Sequence, residues 1–460
     1  MNRREFLGTV GVAAWSAASV GARQSRDFDF IIVGASASGC VLANRLSADP
    51  LVRVLVLDSG DDGSGGTGGM VFARGHRSCY DGWAAIGNAG WGYDDLLPLF
   101  KRSERCEGGE SELRGGEGLL AVSLCTDATA VHRAFLAAAW QNGFKADARF
   151  DFNQPTPSNI AGYHQKTMID GKPQSVADAF LAPVRSRPNL LVTSDARPAR
   201  LIVEGRRAVG VECIRDTTRV VFRATREVML CGGAIESPKL LLLSGIGPAD
   251  RVRALGITVA ADLPGVGLNL HNHVSLTMRW AGRDAMPVST VSAGMFTRSA
   301  QGVAGRAPDL HIHVDSSTVP SDLTIAIAIS LVQPDSRGEV LRSQADVDAL
   351  VRGVRFVRFL AEADAFRELT TGEIDPGVAA KADGDLATFV GRGAVVTSAG
   401  VGTCKMGPAT DSQAVVDAAL RVRGLEGLRV ADASVMPEIV NAPLLAAAVV
   451  IGEKAAELVR

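Results

Sequence analysis

No two cysteines in the chain stand at C-x-x-C spacing. The seven that occur, Cys40, Cys79, Cys106, Cys125, Cys213, Cys231 and Cys404, are scattered and odd in number, so they form no closed disulfide framework. Buried free thiols are the expected state. Charge of one sign is not in excess either. Lys and Arg total 48 against 50 Asp and Glu, a net charge of −2, which argues against nucleic acid as a partner. Aromatic residues make up only 5% of the chain, while apolar residues reach 47% and glycine occurs 50 times. That composition fits a soluble α/β protein. The 460 residues exceed what one hydrophobic core usually serves, so two domains are expected.

A bilayer-spanning run is also lacking. The apolar stretch Leu7–Val20 is too short to cross a membrane comfortably. It follows Arg3-Arg4 and runs towards small residues near Ala22, so residues 1–22 resemble a bacterial twin-arginine export signal. Read this way, the mature chain is periplasmic or secreted and has no integral membrane segment. That route exports folded proteins, often with a cofactor already inserted. The alternative is a basic N-terminus that stays in place.

What is present begins at residue 27. Phe28–Val33 reads as a buried strand, Ser38–Leu46 has helical spacing, and Val52–Leu57 is a second strand that closes on Asp58. Strand, tight turn, helix, strand and acid make a dinucleotide-binding βαβ unit. Main-chain N–H groups at Gly34, Ser36 and Gly39 would meet a pyrophosphate, and Asp58 would hold ribose hydroxyls. Ser36 stands where the fingerprint has its middle glycine, and its Cβ is expected to cost about 1–3 kcal/mol in strain. The plain alternative is a parallel-sheet turn that binds nothing.

Short strands follow at Asn189–Thr193, Arg200–Val203, Ala208–Cys213 and Glu227–Leu230. Gly232-Gly233 then ends a strand, and Ser237-Pro238 is expected to start a helix with proline in its first turn. Ser175-Val176-Ala177-Asp178-Ala179-Phe180-Leu181 has helical spacing, and Ala345–Leu360 reads as a longer helix. Pro308–Val314 alternates with a period of two, which puts His311 and His313 on one face. No third ligand stands at a metal-site spacing, so these histidines read as groups in a cavity wall rather than as metal ligands.

Several blocks recur in a recognisable order. They include Asp29-Phe30-Ile31-Ile32-Val33-Gly34, Met70-Val71-Phe72-Ala73-Arg74-Gly75-His76 and Gly232-Gly233-Ala234-Ile235-Glu236-Ser237-Pro238. Gly402-Thr403-Cys404-Lys405-Met406-Gly407, Val430-Ala431-Asp432-Ala433-Ser434 and Asn441-Ala442-Pro443 complete the series. In order and spacing they resemble the glucose–methanol–choline (GMC) oxidoreductases, FAD enzymes that oxidise alcohols.

The resemblance implies an α/β fold, with a discontinuous Rossmann-like FAD-binding domain and an inserted α+β substrate domain on a mostly antiparallel sheet. The FAD-binding parts are placed at residues 27–120, 187–275 and 395–460, and the substrate-domain parts at 121–186 and 276–394. Residues Gly34, Ser36, Gly39, Asp58, Met70, Asp432, Ala433 and Asn441 are the implied FAD contacts, with Asp432 at the flavin pyrophosphate. The family's flavin-touching loop is reduced here to the glycine run before Met70, so FAD is expected to be non-covalent. The substrate is a small-molecule alcohol. The electron acceptor, whether oxygen, a quinone or a protein, is left open.

One residue does not fit. The family's catalytic histidine precedes the Gly-Thr-Cys by three positions, where this chain has Ala399, and no histidine lies beyond His313. A positioned general base contributes about 10²–10⁴-fold. Asn441 matches the partner position and can donate a hydrogen bond but cannot act as a base. The catalytic candidates are therefore Asn441, His313 and His273. Three readings follow: alcohol oxidation with a relocated base, an FAD-binding non-redox enzyme of cyclase or lyase type, or a degraded, weakly active member.

Overall fold

The computed structural model describes residues 27–58, 70–124, 126–285, 287, 289–300, 307–315, 323–339 and 341–459. The export signal expected in residues 1–22 and the glycine run before Met70 lie outside them. In chain order the elements used below are β1 (Asp27–Val33), α1 (Ala37–Leu46), β2 (Val54–Leu57), α2 (Tyr93–Ser103), α3 (Ala130–Gln141), β3 (Ile160–Tyr163), β4 (Leu190–Thr193), β5 (Arg197–Glu204), β6 (Arg207–Arg215) and β7 (Thr218–Leu230). They continue with α4 (Gly233–Leu243), β8 (Val274–Gly282), β9 (Ser292–Thr297), β10 (Leu310–Asp315), β11 (Thr324–Leu331), α5 (Gln344–Ala361), β12 (Thr370–Asp375), β13 (Leu428–Val430) and α6 (Leu445–Leu458).

Two sheets organise the chain. The first has the order β4-β2-β1-β7-β6-β5, and β13 pairs with the C-terminal end of β7. Its β4, β2, β1, β7 and β13 run parallel, so their carboxyl ends share one edge. The apolar runs Ile31–Ile32 and Val54–Leu57 are fully buried, as strands covered on both faces must be. Helix α6 packs on α1 and α2. Its buried Glu453 accepts hydrogen bonds from Arg45 Nη2 at 2.6 Å and Arg102 Nη2 at 2.7 Å, tying all three helices together.

The second sheet has the order β12-β8-β11-β10-β9-β3, is antiparallel along that path, and continues to the short strand Lys145–Ala146. Val274, Leu276, Met278 and Trp280 alternate onto one face with Leu310, Ile312, Val314, Ile325, Ile327 and Ile329. That face packs against α3, α5 and the helix Asp383–Gly393 to form a second core. The mixed α/β fold with a mostly antiparallel second sheet is the one expected.

Two local expectations change. The stretch around Val176–Val184, expected with the second unit, packs in the first core, where Asn44 Nδ2 donates to the Phe180 carbonyl at 2.7 Å. Helix α4 starts at Gly233 rather than at Ser237, so Pro238 lies in its interior. Proline has no N–H to offer the carbonyl four residues back. That carbonyl, on Ala234, instead accepts from Thr403 Oγ1 at 2.7 Å. The Gly-Thr-Cys segment thus repairs a bond that proline removes.

This pairing predicts that Thr403→Val, which keeps the shape but not the donor, destabilises the fold by about 1–3 kcal/mol. Thr403→Ser should lose much less. Urea unfolding midpoints of the three proteins would check it; equal midpoints for Val and wild type would refute the repair.

Candidate active site

The parallel strands of the first sheet end in a row of turns. After β1, Gly34 has φ of +110°, and its N–H donates to the Leu57 carbonyl at 2.8 Å. A Cβ on Gly34 would sit 2.5 Å from the Cys231 carbonyl oxygen, and one on Gly39 would sit 2.1 Å from the Gly34 oxygen. Both glycines are therefore demanded by close packing of strand, turn and helix.

Ser36 is not strained, contrary to the expected penalty. Its φ of −62° and ψ of 175° are open to any residue, and it caps α1, with Oγ accepting from Gly39 N. The first-turn N–H groups of α1 have no intrahelical acceptor. Such a terminus at the sheet edge suits an anion. Asp58 closes β2 at the same edge, its N–H donating to the Thr193 carbonyl at 2.9 Å. Met70 has φ of +62°, and its carbonyl accepts from Thr167 N at 2.9 Å.

The Asp432 side chain has a structural task besides the cofactor contact expected of its turn. Its carboxylate is buried and accepts from Gly233 N at 2.8 Å, Ser237 Oγ at 2.6 Å and Ser434 N at 2.8 Å. It clamps the start of α4 to the turn Ala433–Val435, leaving the Asp432–Ala433 backbone to line the edge. Burial raises its carboxyl pKa although the accepted hydrogen bonds oppose that shift.

The second sheet turns its other face towards a different chemistry. Its register aligns Thr277, Ala328, His313 and Gly294 in one row, and Ser275, Ser330, His311 and Phe296 in the next. The His311 ring lies between Phe296, at 4.3 Å and 12°, and His313, at 4.6 Å and 23°. His311 Nε2 is 2.9 Å from His164 Nε2, and His164 Nδ1 is 3.0 Å from Ser292 Oγ. Sequence reasoning missed His164 as part of this cluster. Its only signal was a position next to the short strand β3.

Three side chains fasten this unit to the C-terminal segment. His273 Nε2–H donates to the Val440 carbonyl at 2.9 Å, and Gln333 Nε2 donates to Ile439 at 2.6 Å. Asn441 Nδ2 donates to the Pro308 carbonyl at 3.1 Å, while its Oδ1 accepts from His76 N at 2.7 Å. Buried and so engaged, Asn441 is a bracket between Gly75–His76 and Pro308. His273 likewise holds backbone rather than standing free. Ala399 is half-buried on a strip that runs antiparallel to His271–His273, through Thr397 N to the His273 carbonyl at 3.0 Å and Val401 N to the His271 carbonyl at 3.0 Å. The structure thus brings His273, His311 and His313 to one wall and sets Ala399 beside the first of them.

Burial governs these imidazoles. It lowers the pKa of His273 to about 4 and of His271 to about 3, and it holds His164 and His311 well below the usual value. All four are neutral near pH 7.

The sequence profile of the N-terminal GMC oxidoreductase family matches residues 28–275, and that of the C-terminal part matches residues 317–452. This chain belongs to the GMC oxidoreductase family. It is similar to mitochondrial choline dehydrogenase of Mus musculus, with 32% identity over 543 residues covering 94% of this chain and 89% of that protein. Oxygen-dependent choline dehydrogenase of Brucella anthropi is 31% identical over 529 residues, covering 93% and 95%. Among solved structures, pyridoxine 4-oxidase from Mesorbium loti superposes with a TM-score of 0.85 at 27% identity, covering 94% of this chain and 98% of that one.

The chain is accordingly an FAD-dependent oxidoreductase acting on the CH–OH group of an alcohol. The geometry fits that cofactor. The α1 N-terminus suits a pyrophosphate and Asp58 suits a ribose, while the Asp432–Ala433 turn borders the same edge. Among the described residues no helix is long and apolar enough to cross a membrane.

The buried histidines make the fold acid-sensitive. Above pH 6.5 both folded and unfolded chains carry neutral imidazoles. Between 6.5 and about 4 the unfolded chain binds protons that folded His273 refuses, so stability falls as pH falls. At about 1.4 kcal/mol per pKa unit, His273 alone lowers stability by about 3 kcal/mol near pH 4. Urea unfolding at pH 7.5 and 4.5 should show the loss, and His273→Gln should shallow the slope. A wild-type stability that is flat over this range would refute it.

Proposed function

We propose that His313 takes the hydroxyl proton in place of the family histidine that Ala399 lacks, and that the enzyme oxidises a small polar alcohol with non-covalent FAD. The observation that carries this reading is the wall of the second sheet. Among its described histidines, His313 is half-buried, whereas His164, His273 and His311 are each at most 5% exposed. His313 is thus the one able to meet a substrate.

When bound, FAD supplies the acceptor for the carbinol hydride. The remaining work falls to side chains of this chain. A ring nitrogen of His313 accepts the hydroxyl proton as the C–H bond breaks. Ser275, Thr277 and Ser330, in the neighbouring register positions, offer hydroxyls that suit a small polar substrate. Asn441 and His273 hold the C-terminal segment against the second sheet, which fixes the wall relative to the flavin edge. The choline dehydrogenase relatives support an alcohol substrate. The twin-arginine-like segment supports export to the periplasm or beyond. Oxygen, a quinone or a protein can each serve as electron acceptor in this reading.

An absorbance spectrum of the purified protein, titrated anaerobically with an alcohol panel, is the direct test. Flavin absorbance that bleaches with an alcohol is expected. Bound flavin that bleaches with none of the panel would favour a non-redox enzyme. With a bleaching alcohol in hand, His313→Ala should slow flavin reduction by about 10²–10⁴-fold, and Ala399→His should speed it. An unchanged rate in His313→Ala would remove His313 from the mechanism.

A further inference from the structure

The wall holds an arrangement that the base alone does not require. Phe296, His311 and His313 form a continuous stack of three rings, and His311 is bonded sideways to His164. Rings that lie 4.6 Å apart and 23° from parallel present faces to each other, so His313 and His311 do not share an N–H···N bond. A proton taken by His313 therefore does not pass directly to His311.

We propose that His311 is a positioning residue whose aromatic face supports His313 in its protonated form, and that His164, backed by Ser292, keeps His311 neutral for that purpose. The inference rests on the reading of His313 as proton acceptor for its catalytic meaning, but the stack stands on geometry alone. An imidazolium over an aromatic face gains electrostatic stabilisation, and more so where water is excluded. The support fails if His311 is itself charged, because two stacked cations repel.

The His311–His164 pair guards against that. A single proton occupies the 2.9 Å gap between the two Nε2 atoms, so one ring donates and the other accepts. Both rings are buried, which opposes any added charge on either. Phe296 closes the far side of His311 with a ring that cannot titrate.

The groups facing this stack come from several elements. His311 shares β10 with His313. His164 and Lys166 lie just after β3, His132 lies on α3, and His273 lies just before β8; their charges bear on His164 or on His311. Among the described residues no carboxylate is a cause of the shift of either ring. The supporting face of His311 is a feature of the structure that favours a proton on His313.

Histidine-selective ¹⁵N NMR of the flavin-loaded enzyme tests the proposal without relying on turnover. His311→Ala should lower the pKa of His313 by about 0.5–1 unit, the size of a cation–π contact. His311→Phe, which keeps the ring and the stack, should restore it. Flavin content and the unfolding midpoint of each variant report whether the fold survives. An unchanged His313 pKa in a folded, flavin-loaded His311→Ala enzyme would overturn the proposal, as would a His311→Phe enzyme no better than His311→Ala. The same variants assayed by anaerobic flavin reduction should move the acid limb of the pH profile in parallel. If the NMR shift occurs but His313→Ala reduces flavin at the normal rate, the stack is upheld and the base assignment is what fails.

Discussion

A buried carboxylate sets the geometry on which the rest of this protein depends. Asp432 sits where the last strand of the first sheet ends, and its oxygens accept from Gly233, Ser237 and Ser434. An acid without those donors would not tolerate such burial. With them, it fixes the start of α4 against the C-terminal turn, where β7 and β13 end. The same segment runs on to Ile439–Asn441, where residues of the second unit grip it, so one stretch of chain couples the edge of the first sheet to the histidine-bearing face of the second.

The second unit solves a different problem. Its sheet buries one face against helices and leaves the other to a lattice of hydroxyls and imidazoles. In the family, proton acceptance belongs to a histidine on the C-terminal strip. Here that strip carries Ala399, and the histidines lie across from it, on the sheet. Burial keeps His164, His273 and His311 neutral near pH 7, and His313 differs from them in being half-buried. As the proposed base, His313 would be held by sheet register rather than by loop conformation, which constrains position closely.

Much of the fold was legible beforehand because it is written in short-range pattern. The βαβ unit, the strand at Leu310–Asp315 and the helix at Gln344–Ala361 follow from periodicity and glycine placement. The readings that changed share one cause, which is a partner distant in sequence. Ser36 looked strained beside a glycine fingerprint, yet it caps a helix. Pro238 looked like a first-turn residue, yet Thr403 repairs the bond it breaks. Asp432 and Asn441 gain structural roles in the same way, their side chains binding distant parts of the protein.

By itself, the sequence determined the family, the cofactor class, the two-sheet architecture and the loss of histidine at position 399, because motifs and periodicities are local properties of the chain. Only the tertiary structure decided which polar groups remain available for chemistry. A hydrogen bond from His273 to Val440, or from Asn441 to Pro308, joins residues far apart in sequence, and no spacing rule reveals it. The stack of Phe296, His311 and His313 likewise arises from strand register, which pairs residues by shape and burial rather than by their order in the chain.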